Sequence, residues 1–351
     1  MKNPRILVIN TGSTSTKIAV FEAKSLLWQE KIEHDTGTLE QMQDFDNQVF
    51  YRQTLIRDLL EKNGFEPTGL DMIMSRGGLL RPVASGVYRV NDKMLHDLRH
   101  APRQHASNLA AVIAYQLSED KIPVYIADPV VVDEMQEIAR YAGHKLFQRI
   151  SIFHALNHKA VARNFARNQH AKYEELNLIV AHLGGGISVG AHQKGRVIDV
   201  NQALDGEGPF SPERSGTLPA GDLVKLCFSG RYSQTEIQKM IVGNGGLVSY
   251  LNTNNIRKIE NNLTPDKKQI LSAMAYQIAK SIGEMSVVLK GNVDAILLTG
   301  GVAHSQFITG EIKKYINFIA PVYIYPGEDE MQALAFNAFL LWNNELKAKT
   351  Y

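Results

Sequence analysis

The chain has 351 residues, with 38 Lys and Arg against 36 Asp and Glu and a formal net charge of +2. So small a charge supplies no strong field for nucleic acid or an anionic membrane, so neither is an expected partner and small molecules are. Cys227 is the single cysteine, which excludes an intramolecular disulfide and a cysteine-based metal cluster. The length predicts about two domains, each with its own core. No stretch approaches the roughly 20 apolar residues of a membrane span. The apolar run in MKNPRILVINTGS is too short for a secretory signal, so the expected location is cytoplasmic.

In chain order, residues 6–20, ILVINTGSTSTKIAV, predict a β-hairpin. An apolar run ends at Asn10, a small-residue turn carries Gly12, Ser13 and Ser15, and Lys17 begins a second alternating stretch. Such a turn offers backbone N–H groups and hydroxyls with few bulky side chains, which is chemistry suited to phosphate oxygens. It is not a Walker A motif, because the GK[ST] ending and the following helix are missing. MIMSRGG (72–78) and VYIADP (124–129) predict short strands ending in polar elbows at Arg76 and Asp128. Helical periodicity covers 105–117 and 155–167. Residues 178–192, LIVAHLGGGISVGAH, then repeat the first hairpin, with His182 followed by Gly184, Gly185 and Gly186. Three glycines exceed what a hairpin turn needs and predict close approach of a ligand to the backbone. The segment 199–219 is long, irregular and rich in Gly, Pro and Ser, as functional loops often are. Residues 266–289 predict an amphipathic helix with Ile270, Met274, Ile278, Ile282, Met285 and Leu289 on one face. AILLTGG (295–301) and VYIYPGEDE (322–330) are two further strand-and-elbow units, and 330–349 predicts a segment packed on a domain. The alternation predicts an α/β fold, with ligands beyond the carboxyl ends of the strands. The duplicated hairpin predicts two related halves and a nucleotide in the cleft between them.

The series NTGSTSTK, SRGGLL, DPVVVDE, SIFHALNHKAVAR, AHLGGGISVGAH, GRVIDVNQALDGEGPFSPERSG, TGGVAHS and APVYIYPGEDEMQAL runs in order from about residue 6 to 334. It resembles the butyrate kinase branch of the acetate kinase family, within the actin, sugar kinase and Hsp70 superfamily. The resemblance implies two duplicated actin-like (ribonuclease H-like) domains. It further implies reversible, Mg²⁺-assisted transfer of a phosphoryl group from ATP to butanoate or a short branched-chain carboxylate, in line, giving an acyl phosphate and ADP. Acetate and propionate stand as alternative acceptors, and an actin- or Hsp70-like nucleotide switch as an alternative of another class. Carboxylates are ionised at neutral pH and need no general base, so the task is to hold two anions and neutralise spreading charge.

By the same resemblance, Arg76 and Arg214 flank the phosphoryl group, His154 donates to its oxygens, and Asp128 acts near the nucleophile or through water on the metal. Asn10 and Glu330 are expected at the metal. Asn10, Gly12, Ser13, Ser15 and Lys17 of the first hairpin and His182, Gly184, Gly185 and Gly186 of the second are expected at the nucleotide phosphates. Asn255, Gly300 and Gly301 are expected near adenosine, with Asn255 standing where relatives commonly carry an acid. His105, Phe153, Gly77 and Gly78 are expected around the carboxylate. Acetate kinases carry bulkier residues after the arginine, so the two glycines are expected to leave room for a longer acyl tail. The expected domains are 1–135 plus 331–351 and 136–330, closing on nucleotide, in a homodimer or larger homo-oligomer.

Overall fold

The computed structural model describes residues 3–42, 44–102 and 104–351. They divide into two compact units, Met1–Val132 with Asp329–Tyr351, and Asp133–Glu328. The expected boundary therefore moves at two points. Asp133 and Glu134 go to the second unit because they pair with Arg140 and Lys159 there, and Glu330 goes to the first because it pairs with Asn10 and Arg76.

The first unit carries β1 (Arg5–Thr11), β2 (Ser15–Glu22), β3 (Ser25–Glu33), β4 (Met72–Arg76), β5 (Val87–Arg89) and β6 (Val124–Ala127), in the order β3-β2-β1-β4-β6-β5. The second carries β7 (Asn177–Leu183), β8 (Ile187–Gln193), β9 (Arg196–Val200), β10 (Ala295–Gly300) and β11 (Val322–Pro326), in the order β11-β10-β7-β8-β9. Each sheet is an antiparallel three-strand meander whose first strand also pairs in parallel with the fourth, which in turn pairs in parallel with the next. The repeat legible in two hairpins thus extends over five strands, and β5 is an antiparallel addition to the first sheet.

Burial follows from the two-sided covering of each sheet. In β7, Ile179, Ala181 and Leu183 join the core around helix Pro265–Val288, while Leu178 and Val180 pack with Val161, Ala162 and Phe165 of helix Ala155–Asn168. Period-two alternation therefore separates two apolar faces rather than core from solvent, as parallel pairing requires. Helix Pro265–Val288 starts with Thr264 as N-cap and Pro265 in its first turn, and buries Met274, Ile278, Ile282 and Met285 of the expected stripe. Helix Glu330–Trp342 begins at Asp329, whose side chain accepts from Gln332 N, and packs on β1, β2, β4 and β6. Among the described residues no helix is long and apolar enough to cross a membrane.

Candidate active site

In the first unit the parallel strands β1, β4 and β6 end side by side, with Ile9 opposite Ser75 and Arg76 opposite Ala127. Beyond those ends three expected residues meet. Asn10 Nδ2 donates to Glu330 Oε2 at 2.5 Å, and Arg76 Nη1 lies 3.3 Å from Asn10 Oδ1 and 3.5 Å from Glu330 Oε2. Arg76 and Glu330 keep 22% and 12% side-chain exposure, so the guanidinium and carboxylate are held but not sealed. Lys17 sits directly across from Asn10 in the β1–β2 ladder, on the same face of the sheet.

The first turn is gripped from below by Arg52. Its guanidinium donates to the carbonyls of Gly12, Ser13 and Ser15 and to Thr16 Oγ1, and the residue is 1% exposed. Among the described residues no carboxylate pairs with it, and burial lowers its pKa to about 10, leaving it cationic at neutral pH. With three carbonyls turned inward, a positive charge sits beneath the turn expected to take phosphate. Thr11 Oγ1 donates to Ala106 O at 2.6 Å, which ties the His105 segment to the end of β1. His105 Nδ1 accepts from Ser107 N, so its ring proton sits on Nε2 when the ring is neutral.

Asp128, Gly77 and Gly78 are each held by segments distant in sequence. Asp128 follows β6 with φ 38°, and its Oδ1 accepts from Ser85 Oγ at 2.6 Å and Gly86 N at 2.8 Å. That oxygen anchors the 85–86 loop, so Asp128 positions backbone at the strand ends through Oδ1. The glycines do not open an acyl pocket. A Cβ on Gly77 would lie 2.5 Å from Pro129 Cβ, and one on Gly78 would lie 2.7 Å from Asn108 Cα. The space is filled by protein, and glycine is there to let the chain pack.

In the second unit, β7 and β8 end in the triple-glycine turn, closed by Gly184 N donating to Gly186 O. The irregular loop docks on it: Ser211 Oγ donates to Gly185 O at 2.5 Å and Glu213 N to the same carbonyl at 3.2 Å. Arg214 lies against Gly186, where a Cβ would overlap its guanidinium, and Nη1 donates to Ala203 O. Gly300, at φ 89°, passes against Leu183 O, and a Cβ on Gly301 would meet no atom within 4 Å. Beside them opens a cavity of about 910 Å³ lined by Gly184, Gly185, Glu213, Asn255, Arg257 and Gly301 among others. Asn255 is present, but its Oδ1 caps helix Ile256–Glu260 by accepting from Lys258 N. Glu213, Glu260 and Glu328 also line the cavity.

His154 stands at the N-terminus of helix Ala155–Asn168, its ring stacked on His182 at 3.9 Å between centroids. His182 Nδ1 contacts Asn157 Oδ1 at 2.9 Å, while Nε2 lies 3.1 Å from Glu328 Oε1 outside hydrogen-bond alignment. Phe153, expected at the substrate, is 2% exposed and meets His158 edge-on, so it is a core residue with no face left for an acyl chain.

A model of the acetokinase family matches residues 136–319. Butyrate kinase 2 of Clostridium acetobutylicum is 50% identical to this chain over 352 residues, spanning 99% of each. The chain belongs to the acetokinase family. It is a phosphotransferase acting on a carboxyl group. A probable butyrate kinase of Clostridium botulinum is 47% identical over 352 residues, again 99% of each chain. Among solved structures, Porphyromonas gingivalis acetate kinase aligns with a TM-score of 0.78 at 18% identity, covering 96% of this chain and all of that one. A propionate kinase from Francisella tularensis aligns at 0.76 and 18%, covering 96% and 99%. At that identity the likeness is one of fold, the two-domain actin-like α/β architecture.

In this acetokinase-family enzyme, residues that sequence reading passed over also contact the expected ones. Arg52 carried a signal: it lies between Val49 and Ile56 on the inward stripe of helix Phe45–Lys62, where an apolar residue belongs. Glu213 sits in the same PERSG segment as Arg214 and hydrogen-bonds Asn254 at 2.6 Å. Ser188 and His192 had no local signal beyond their place in an apolar strand.

Three buried histidines make the fold acid-sensitive. Burial first, and then the Arg52 charge, push His34 from 6.5 down to about 4. Burial likewise holds His158 and His192 well below 6.5, helped by the nearby positive charge of Lys159. The unfolded chain binds these protons near pH 6.5 and the folded one resists them, so this stability is full above 6.5 and is lost as pH falls toward 4. Urea midpoints are expected to drop across that window, and a His34→Gln variant to drop less steeply. A His34→Gln slope equal to that of the parent would remove His34 from the effect.

Proposed function

We propose that this enzyme reversibly phosphorylates butanoate, or a branched acid of about the same length, using ATP and releasing ADP. The observation that carries the choice of acceptor is likeness over the whole chain to two butyrate kinases. The convergence of Arg76, Asn10 and Glu330 beyond the strand ends supports the chemistry. An acceptor that is already an anion needs no base, and that agrees with an Asp128 oxygen occupied by Ser85 and Gly86. What it needs is donors aimed at phosphoryl oxygens. Guanidinium forks at Arg76 and Arg214 and a ring N–H at His154 are such donors.

The cavity of about 910 Å³ is the proposed adenosine site, with the triple-glycine turn toward the phosphates and Gly301 leaving room for the base or ribose. Arg52 beneath the first turn makes its backbone favourable to anions. Mg²⁺ takes oxygen ligands and commonly one or two carboxylates completed by substrate phosphates. Glu330 and the Asn10 amide oxygen fit that donor set, and among the described residues no group of three or more His, Cys, Asp or Glu forms an all-protein cage. When bound, the ion supplies charge neutralisation at the phosphates.

The test is a panel of C2 to C6 carboxylates with MgATP and hydroxylamine, which traps acyl phosphates as hydroxamates. The expected result is hydroxamate formation with the highest kcat/KM at four or five carbons. No hydroxamate with any acid would overturn carboxylate transfer, and a maximum at acetate would overturn the acceptor.

A further inference from the structure

We infer that Tyr173, His192, His158 and Ser188 form a one-way hydrogen-bond relay that fixes the ring of His154 with its proton on Nε2. Tyr173 Oη lies 2.7 Å from His192 Nδ1, and His192 Nε2 lies 3.2 Å from His158 Nδ1. His158 Nε2 lies 2.9 Å from Ser188 Oγ, which lies 2.9 Å from His154 Nδ1. The fold builds this line from two elements. His154 and His158 are one helical turn apart at the start of helix Ala155–Asn168, and Ser188 and His192 share a face of β8 with Gly190 between them. A Cβ on Gly190 would lie 3.4 Å from the His158 ring, so the line runs directly over this residue.

The line passes only one kind of message. Tyr173, His158, His192 and Ser188 are all at most 4% exposed, so water does not offer substitute partners. Burial keeps both inner histidines neutral, and Lys159, buried and ion-paired to Glu134 at 2.6 Å, adds a nearby positive charge that opposes their protonation. A neutral imidazole donates at one nitrogen and accepts at the other, and a serine hydroxyl can do both at once. Setting one end therefore sets all the rest. A phenol, with a pKa of about 10, is a far stronger donor than a neutral imidazole N–H, and imidazole nitrogen is the better acceptor. Tyr173 donates to His192 Nδ1, His192 Nε2–H to His158 Nδ1, His158 Nε2–H to Ser188, and Ser188 O–H to His154 Nδ1. His154 then accepts at Nδ1 and presents a donor at Nε2.

Resting on the reading of His154 as a donor to phosphoryl oxygen, this assigns the four residues a positioning role. The opposite tautomer would aim a lone pair at an anionic oxygen, which repels where the reaction needs attraction. Nothing in the relay touches substrate except through His154.

The experiment is long-range ¹H–¹⁵N correlation of the ¹⁵N-histidine-labelled full chain without ligand, with His154 assigned by signal loss in His154→Gln. His154, His158 and His192 are all expected as the Nε2–H form. In Tyr173→Phe, which keeps the ring and removes the donor, His154 is expected to shift to a mixture of tautomers, with kcat down about tenfold and KM unchanged. Ser188→Ala should give the same shift, and Ser188→Thr should restore the parent spectrum, so the reading survives a folding failure in either variant. An Nδ1–H ring at His154 in the parent, or an unshifted tautomer in a folded Tyr173→Phe or Ser188→Ala protein, would overturn the relay. Because the spectrum is read without substrate, its outcome is independent of whether carboxylates are phosphorylated.

Discussion

Arg76→Ala is expected to lower kcat for carboxylate phosphorylation by about 10²- to 10³-fold while the protein remains folded, the loss typical of removing one preorganised donor. The side chain leaves the end of β4, is held near Asn10 and Glu330 at 3.3 and 3.5 Å, and keeps enough exposure to meet a ligand. Its interactions are polar ones at the strand ends, so its removal should act on turnover more than on stability. Arg76→Lys should recover only part of the loss, because an ammonium is a point charge without the planar fork that matches two phosphoryl oxygens. Steady-state kinetics alongside circular dichroism decide the matter. Near-parental kcat in a folded Arg76→Ala protein would take the residue out of the mechanism.

Gly78→Val is expected to lower stability by about 1–3 kcal/mol or more, the range for overpacking a filled site. The first added carbon alone would lie 2.5 Å from Asn108 Oδ1 and 2.8 Å from Leu98 Cδ2. Asn108 is fully buried, and its Oδ1 accepts from Leu79 N at 2.8 Å, so moving it aside also breaks a buried hydrogen bond. The nearest backbone belongs to helix Ser107–Ser118, whose middle is buried on nearly every side and cannot retreat cheaply. The variant should show a lowered urea midpoint and lose acetate and butanoate turnover in equal proportion. An unchanged midpoint with a loss confined to butanoate would place the acyl tail at Gly78 after all.

The contrast between these two positions shows where sequence reading stops. Arg76 was legible because a strand followed by a charged elbow is a local pattern, and the end of a parallel strand is where such a residue meets a ligand. The same holds for the two hairpins, whose apolar runs and glycine turns repeat about 170 residues apart, and for helix Pro265–Val288, whose stripe has the helical period. Strand β3, SLLWQEKIE, was not legible, because an exposed edge strand has no buried face to impose alternation.

Gly77 and Gly78 were misread for a different reason. Absence of a side chain looks identical in sequence whether the vacant volume holds a ligand or neighbouring protein, and only the placement of Pro129 and Ile126 beside Gly77, and of Asn108 and Leu98 beside Gly78, distinguishes them. Asp128 is similar: its type and strand end were visible, but the donors that occupy Oδ1 come from residues 85 and 86. Arg52 lies about 40 residues from the turn it grips, and Tyr173 lies 19 residues from His192 and as many from His154. The amino-acid sequence by itself determined the local periods, the duplicated turns and the residue types at strand ends, because those depend on neighbours within a few positions. Tertiary structure alone decided which carboxylate oxygen is already engaged, which glycine faces protein, and which buried side chains line up on His154, because burial and hydrogen-bond partnership are set by distant segments brought into contact.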